Sequence, residues 1–375
     1  MSLNATRPGA CPPQVVGGLD LVPGMVPEQT AEDCLTAEIW TPSTDGRRPV
    51  VLWIPGGSFL IGGASLPTYD GSRLAAEQDL VVVGVNYRLG ALGFLAAGGV
   101  PTNLGLRDLR AAIAWVRANA AAFGGDPDRV VLMGESAGAG AIAHLVVDTT
   151  LPVAGAIAFS GSPTMTQSSA RAHAVAEAFL ERAGGLDAAR RLTVDELLAA
   201  QASAVQAVGP WAGMLPFHPW VDGDLLPEGP ATAPLTPVPL WLGTTADEME
   251  LFRAMVPPLP AEHAAAYLSR KNELYPLGLD EARAVLDRCA GDLVSAIAEV
   301  DLVRPNDVLA RRHADAGQPV WRTVFDWQAP GVRACHALDL PFVFDTLDVA
   351  GWRDFAGAHD PAADAAGRAL RAGIA

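Results

Sequence analysis

Seven short apolar runs punctuate the chain, at 35–40 (LTAEIW), 49–54 (PVVLWI), 80–87 (LVVVGVNY), 129–134 (RVVLMG), 155–160 (GAIAFS), 239–243 (PLWLG) and 319–327 (PVWRTVFDW). Each has the length of a strand. Several are apolar on both faces, as strands of a parallel sheet are when helices cover both sides. Between many of them apolar residues return at helical spacing: over 106–123, Leu109, Ile113 and the pair Trp115/Val116 predict a helix that stops at GGDP. Strand, helix and strand in succession predict an α/β fold, a mostly parallel twisted sheet with helices on both faces. Between Ser162 and Pro239 the strand signals fade, and 168–184 and 193–208 read as helices, the second opened by a Thr193/Glu196 capping box. A further helical stretch covers about 260–317. No Ser/Gly-rich linker, repeat or low-complexity segment interrupts the pattern. The expectation is one domain over 1–375, with its core in 1–162 and 236–375 and helical excursions at 163–235 and 260–317.

Charge narrows the ligand classes. The formal net charge is −16 and the only lysine is Lys271, so no basic surface exists to neutralise phosphates, which excludes nucleic acid as the main ligand. No apolar stretch reaches the roughly 18–20 residues that span a bilayer. The start, MSLNATRPGA, lacks the charged and apolar regions of a signal peptide. Compartment, secreted or cytoplasmic, and oligomeric state are not legible. The four cysteines show no C-x-x-C spacing and no adjoining histidine cluster, so no structural zinc is expected, and nothing calls for another metal or a cofactor. A Cys11–Cys34 disulfide and two free thiols fit the spacing equally well.

The stretch RVVLMGESAGAGAIAHLV (129–146) runs from strand to helix through Gly134-Glu135-Ser136-Ala137-Gly138. A serine between glycines at such a turn can be forced into strained backbone with its Oγ exposed, while the helix that follows aims its amides at the same point. Ser136 is therefore the candidate nucleophile, and a nucleophilic serine needs a base. His144 lies down the helix leaving Ser136, about 12 Å along its axis. His173, His263 and His313 sit in amphipathic helices, and His359 is near the C-terminus. His218, in FHPWVDG, is a weaker candidate than His336, which stands in a loop after the late strand 319–327. The orienting acid belongs after another strand, between the serine and histidine in chain order. Asp247 and Glu248 both qualify, and the residues alone do not choose between them. Gly56, Gly57 and Ser58 close the strand 50–54, where backbone amides can approach a developing oxyanion.

ACPPQ (10–14), AEDCL (31–35), PGGSF (55–59), NYRLGALGFL (86–95), NLGLRD (103–108), FGGDPDRV (123–130), GESAG (134–138), AIAFSGSP (156–163), PWVDGDLLP (219–227), GTTADE (243–248) and CHALDLPFVF (335–344) follow one another along nearly the whole chain. In that order they resemble the type-B carboxylesterases, the family of cholinesterases and para-nitrobenzyl esterase-like bacterial enzymes. The resemblance implies an α/β-hydrolase fold and a triad of Ser136, His336 and Glu248, with oxyanion donors at the amides of Gly57, Ser58 and Ala137. It further implies supporting roles for Ser160 and Glu135, a substrate pocket lined by Leu215 and Phe217 with Phe252 nearby, and a Cys11–Cys34 disulfide if the protein is exported. Three positions depart from the family pattern. Pro55 replaces a histidine or aromatic, Ser58 a glycine with unusual backbone angles, and Met249 the glycine after the acid. Against the family pattern the chain is also expected to be short of the strands before ACPPQ and of the closing segment. The expected activity is hydrolysis of small to medium apolar carboxylic esters through an acyl-serine. The alternatives are an amidase or lactonase using the same triad, and a catalytically silent member used for binding.

Overall fold

A computed structural model describes residues 7–15, 22–208, 216–256, 258–272, 274–349 and 351–374. Each of the seven apolar runs forms a strand: β1 (Ala37–Trp40), β2 (Arg48–Ile54), β3 (Val81–Val85), β4 (Gly125–Glu135), β5 (Gly155–Phe159), β6 (Leu240–Thr245) and β7 (Val320–Phe325). They lie in one sheet in the order β1-β3-β2-β4-β5-β6-β7, with β1 antiparallel to β3 and every other pair parallel.

Layering follows from the side-chain alternation of a strand. In β2, Leu52 and Ile54 enter one core with Leu109, Ile113 and Phe179, while Val51 and Trp53 enter the other with Phe342, Phe344 and Trp352. Each such side chain taken fully from water contributes about 1.5–3 kcal/mol. Strands β3 and β5 are buried along their whole length, which is why VVVGV and GAIAF show no polar alternation.

The helix predicted over 106–123 spans Leu104–Asn119 and buries Leu106, Leu109, Ile113 and Val116. Of the predicted pair, Val116 continues the inward i, i+4, i+7 row. Trp115 falls off it and is 45% exposed. Helices Ser169–Ala183 and Val194–Val208 lie in the first excursion. The second is opened by the predicted box: Glu196 Oε2 accepts from the Thr193 amide at 2.8 Å, and Thr193 Oγ1 accepts from the Glu196 amide at 3.3 Å. The second excursion holds Ala261–Arg270, Leu279–Arg288, Leu293–Ala298, a π-helical turn at Glu299–Val303 and Arg304–Asp315. It has its own apolar cluster, which includes Met249, Leu268, Val285 and Ile297. Among the described residues no helix is long and apolar enough to cross a membrane.

The register sets where chemistry can occur. Ile54 pairs with Gly134, Gly134 with Ala158, and Ala158 with Leu242. The carboxyl ends of β2, β4, β5 and β6 thus lie side by side, and the loops leaving them share one edge of the sheet, where open α/β sheets bind ligands.

Candidate active site

Ser136 sits at φ 55°, ψ −122° between β4 and the helix Ala137–Leu145, and its amide donates to Phe159 O at 2.9 Å. A non-glycine residue held there costs on the order of 1–3 kcal/mol. Close packing enforces it: a Cβ on Gly138 would stand 2.0 Å from Ile54 O, so the elbow helix can rest on the end of β2 only with glycine there. Every residue of Gly134–Gly140 is buried except Ser136, which is partly exposed.

The loop after β2 leans on this elbow, since a Cβ at Gly56 would be 3.0 Å from Ser136 Cβ. It then passes through three successive positive φ angles, 115° at Gly57, 57° at Ser58 and 57° at Phe59. The serine in the family's glycine position therefore adopts the left-handed conformation expected of that position. Tyr87 Oη donates to Pro55 O at 3.0 Å, and Gln14 bridges Pro12 and Gly62, which hold the loop from either side. Among the described residues the amides of Gly57, Ser58 and Ala137 donate to no acceptor.

His336 lies in the loop after β7. Its Nδ1 is 2.7 Å from Glu248 Oε2, and its amide donates to Glu248 O at 3.2 Å. Glu248 is 1% exposed, and its second oxygen accepts from the Thr245 amide at 2.8 Å. A carboxylate accepts and cannot donate, so Nδ1 carries the proton and Nε2 is the atom left for chemistry. The structure thereby separates the two adjacent acids: Asp247 turns away to an ion pair with Arg333 at 2.7 Å. The imidazole Nε2 is 3.2 Å from Oε1 of Glu135, the residue immediately before Ser136. Among the described residues no hydrogen bond joins Ser136 Oγ to Nε2. Such catalytic bonds are often completed only with substrate in place.

Buried carboxyls surround this imidazole. Burial raises Glu135 to about 8 and Asp339 to about 7, the latter also through the nearby Glu248 charge. Burial alone would lower His336, but Glu135, the Glu248 hydrogen bond and Asp339 outweigh it and raise the imidazole to about 9. Asp339 has no counterpart among the predicted site residues. The signal available was an acid inside the apolar run ALDLPFVF, a position that burial makes costly.

Other predicted residues fall in different places. Ser160 has φ 52° at the end of β5, and its buried Oγ has no hydrogen-bond partner among the described residues. The Phe252 ring is 5.5 Å from the His336 ring. Phe217 is a correction: at 1% exposure it packs edge-on against Phe179, in the core instead of on an open pocket wall. Leu215 lies outside the described residues. The implied disulfide is a second correction: Cys11 and Cys34 are not bonded to each other. The Cys11 thiol turns instead to Ser65 Oγ at 3.2 Å, and burial raises both thiols, Cys34 to about 11, so they stay protonated. Of the other histidines, His144 and His313 are buried on backbone carbonyls, His173 bonds Ser169 O, and His263 and His359 are exposed.

Comparison with known proteins agrees with this geometry. The Carboxylesterase family model matches residues 1–355. The para-nitrobenzyl esterase of Bacillus subtilis (strain 168) is 39% identical over 370 residues, covering 92% of this chain and 74% of that protein. A probable N-octanoylanthranilate hydrolase of Rhodococcus erythropolis is 34% identical over 369 residues, covering 94% and 77%. A solved PNB esterase superposes with a TM-score of 0.83 at 33% identity, covering 97% of this chain and 78% of that one. Motif order, sheet and relatives converge: this chain belongs to the carboxylesterase family, has its α/β-hydrolase fold and is a carboxylic ester hydrolase.

Proposed function

We propose that ester hydrolysis runs through an acyl-enzyme on Ser136, with His336 as general base and acid and Glu248 as its orienting carboxylate. The observation that carries this reading is the buried 2.7 Å His336–Glu248 contact, which turns the other ring nitrogen, Nε2, toward the elbow, 3.2 Å from Oε1 of Glu135. Neutral His336 takes the Ser136 proton as Oγ bonds to the ester carbonyl carbon, and negative charge moves to the carbonyl oxygen. The unused amides of Gly57, Ser58 and Ala137 receive that charge. Collapse breaks the bond to the alkoxy oxygen, which leaves with the proton from His336. Water then attacks the acyl-serine by the same proton route, releasing the acid and restoring Ser136. The Phe252 ring beside His336 supports an apolar substrate, and the nearest analogy among the relatives named above is an ester of para-nitrobenzyl type.

A serine-reactive fluorophosphonate tests the assignment. The expected result is one adduct per chain by intact mass, mapped to the peptide holding Ser136, with loss of para-nitrophenyl butyrate turnover in step with labelling. A labelled residue other than Ser136, or full turnover in fully labelled protein, overturns it.

The pH dependence has a definite sign. Catalysis needs the neutral imidazole, so kcat/KM rises with pH as His336 loses its proton. Because neighbouring carboxylates raise that group to about 9, this limb lies above the ordinary imidazole range. Glu135→Gln removes the largest upward influence, so the limb moves to lower pH, read from kcat/KM profiles of both enzymes. An unmoved limb would show that the Glu135 charge does not reach the base.

A further inference from the structure

A cavity of about 240 Å³ opens beside the helix Arg304–Asp315, and none of the Ser136, Glu248 or His336 side chains lines it. Its walls come from parts of the chain far apart in sequence: the helix itself, the π-helical turn at Val300, the segment 272–277, and Pro163 and Thr164 from the loop after β5.

The polar groups of these walls are spent on one another. Asn272 Nδ2 donates to Thr164 O at 3.0 Å, and its Oδ1 accepts from the Leu274 and Tyr275 amides, each at 3.1 Å. Thr164 Oγ1 donates to Asp301 O at 3.3 Å. The Arg312 guanidinium reaches away to backbone carbonyls, Pro230 O at 3.0 Å, Thr232 O at 3.2 Å and Ala233 O at 2.6 Å. What is left to meet an occupant is chiefly apolar: the rings of Pro163, Tyr275, Pro276 and Pro305, with the buried Val300 and Leu309. Water held in a cavity needs two to four polar partners, and these walls have used theirs, so an apolar occupant suits the space better.

Size and charge narrow the class. A cavity of roughly 150 Å³ with aliphatic walls takes up benzene, so this one has room for a single substituted ring. Flat proline and tyrosine faces favour an aromatic ring over a flexible chain. The charged pair that lines the space cancels: Arg304 Nη2 bonds Glu281 Oε1. In a chain of net charge −16, a neutral rim offers nothing extra to an anion, and an unpaired charge against apolar walls is costly. Of the species in an ester hydrolysis the carboxylate is therefore the poorest fit, and a neutral alcohol fits best.

We propose that this cavity is a second ligand site, separate from the catalytic centre, for a neutral molecule with one substituted aromatic ring, of the benzyl alcohol class. The site stands on its own walls and does not use the assignment of Ser136.

Equilibrium dialysis of para-nitrobenzyl alcohol tests it, on the full chain first treated with a fluorophosphonate so that the catalytic centre is occupied. The treated enzyme binds about one equivalent per chain, and para-nitrobenzoate, of nearly the same size, binds about tenfold more weakly or worse. Val308 lines the cavity and is 39% exposed, so Val308→Trp sets an indole into its mouth without touching the sheet. That variant weakens alcohol binding about tenfold or more while para-nitrophenyl butyrate turnover stays within about twofold. Glu281→Gln, at a second exposed position, strips Arg304 of its carboxylate partner and raises the benzoate-to-alcohol affinity ratio about tenfold. No alcohol bound by the treated wild-type enzyme, or unchanged binding in Val308→Trp, overturns the proposal. An affinity ratio that Glu281→Gln leaves where it was overturns it as well.

Discussion

Ser136→Ala is expected to lower kcat for para-nitrophenyl butyrate by about four to six orders of magnitude and to abolish fluorophosphonate labelling. Alanine keeps the Cβ, so the elbow at φ 55° carries the same backbone strain and the contacts of Gly138 with the end of β2 are unchanged. Melting temperature should therefore stay close to wild type while chemistry is lost. Residual rate above the uncatalysed reaction would come from oxyanion amides acting on a carbonyl attacked by water. A loss smaller than about tenfold in a folded variant would place the nucleophile elsewhere. The elbow's cost makes sense in this light: about 1–3 kcal/mol of strain at Ser136 holds one hydroxyl out of a turn otherwise packed against β2.

What could be read from the sequence divides by the range of the physics involved. The inner strands β2, β3, β5 and β6 were legible because parallel strands buried on both faces leave apolar runs, and the Thr193 box because its two partners sit within one helical turn. Ser136 was legible because the glycines that permit its backbone are its neighbours. Other features depend on which distant surface a residue meets. Asp247 and Glu248 are adjacent and chemically alike, and only their directions after β6, one toward Arg333 and one toward His336, distinguish them. Phe217 looked like a pocket residue from its place in the family pattern, yet Phe179, from the first excursion, claims its ring. The Cys11–Cys34 bridge was inferred from the same pattern, but the structure gives the Cys11 thiol a hydroxyl partner. Asp339, inside CHALDLPFVF, and the His144–Thr166 bond were not legible because the sequence pattern does not show what either meets in space. Asp339 gains its meaning from burial beside Glu248, and the partner of His144 comes from a loop beyond the next strand.

Glu248→Gln should be the second most damaging change, lowering kcat by about three to four orders of magnitude. Glu248 accepts two bonds at once, from His336 Nδ1 at 2.7 Å and from the Thr245 amide at 2.8 Å. Glutamine offers one acceptor oxygen and one donor nitrogen. If the oxygen stays on Thr245, the amide N–H faces Nδ1 and forces the imidazole proton onto Nε2, the atom that must take the proton from Ser136. If the oxygen turns to His336, two N–H groups confront each other at Thr245 in a site where the residue is 1% exposed, costing about 1–3 kcal/mol. The first arrangement disables the base and the second destabilises the loop that carries the acid, so loss of rate should come with a measurable fall in melting temperature only in the second. Asp247→Asn serves as the contrast. Its carboxylate holds Arg333 and the Ala334 amide, contacts that do not touch the imidazole, so its cost in kcat should stay below about tenfold. If Asp247→Asn proved the more damaging of the two, the orienting acid would have been assigned to the wrong neighbour, and the 2.7 Å contact at His336 would have to be read as structural.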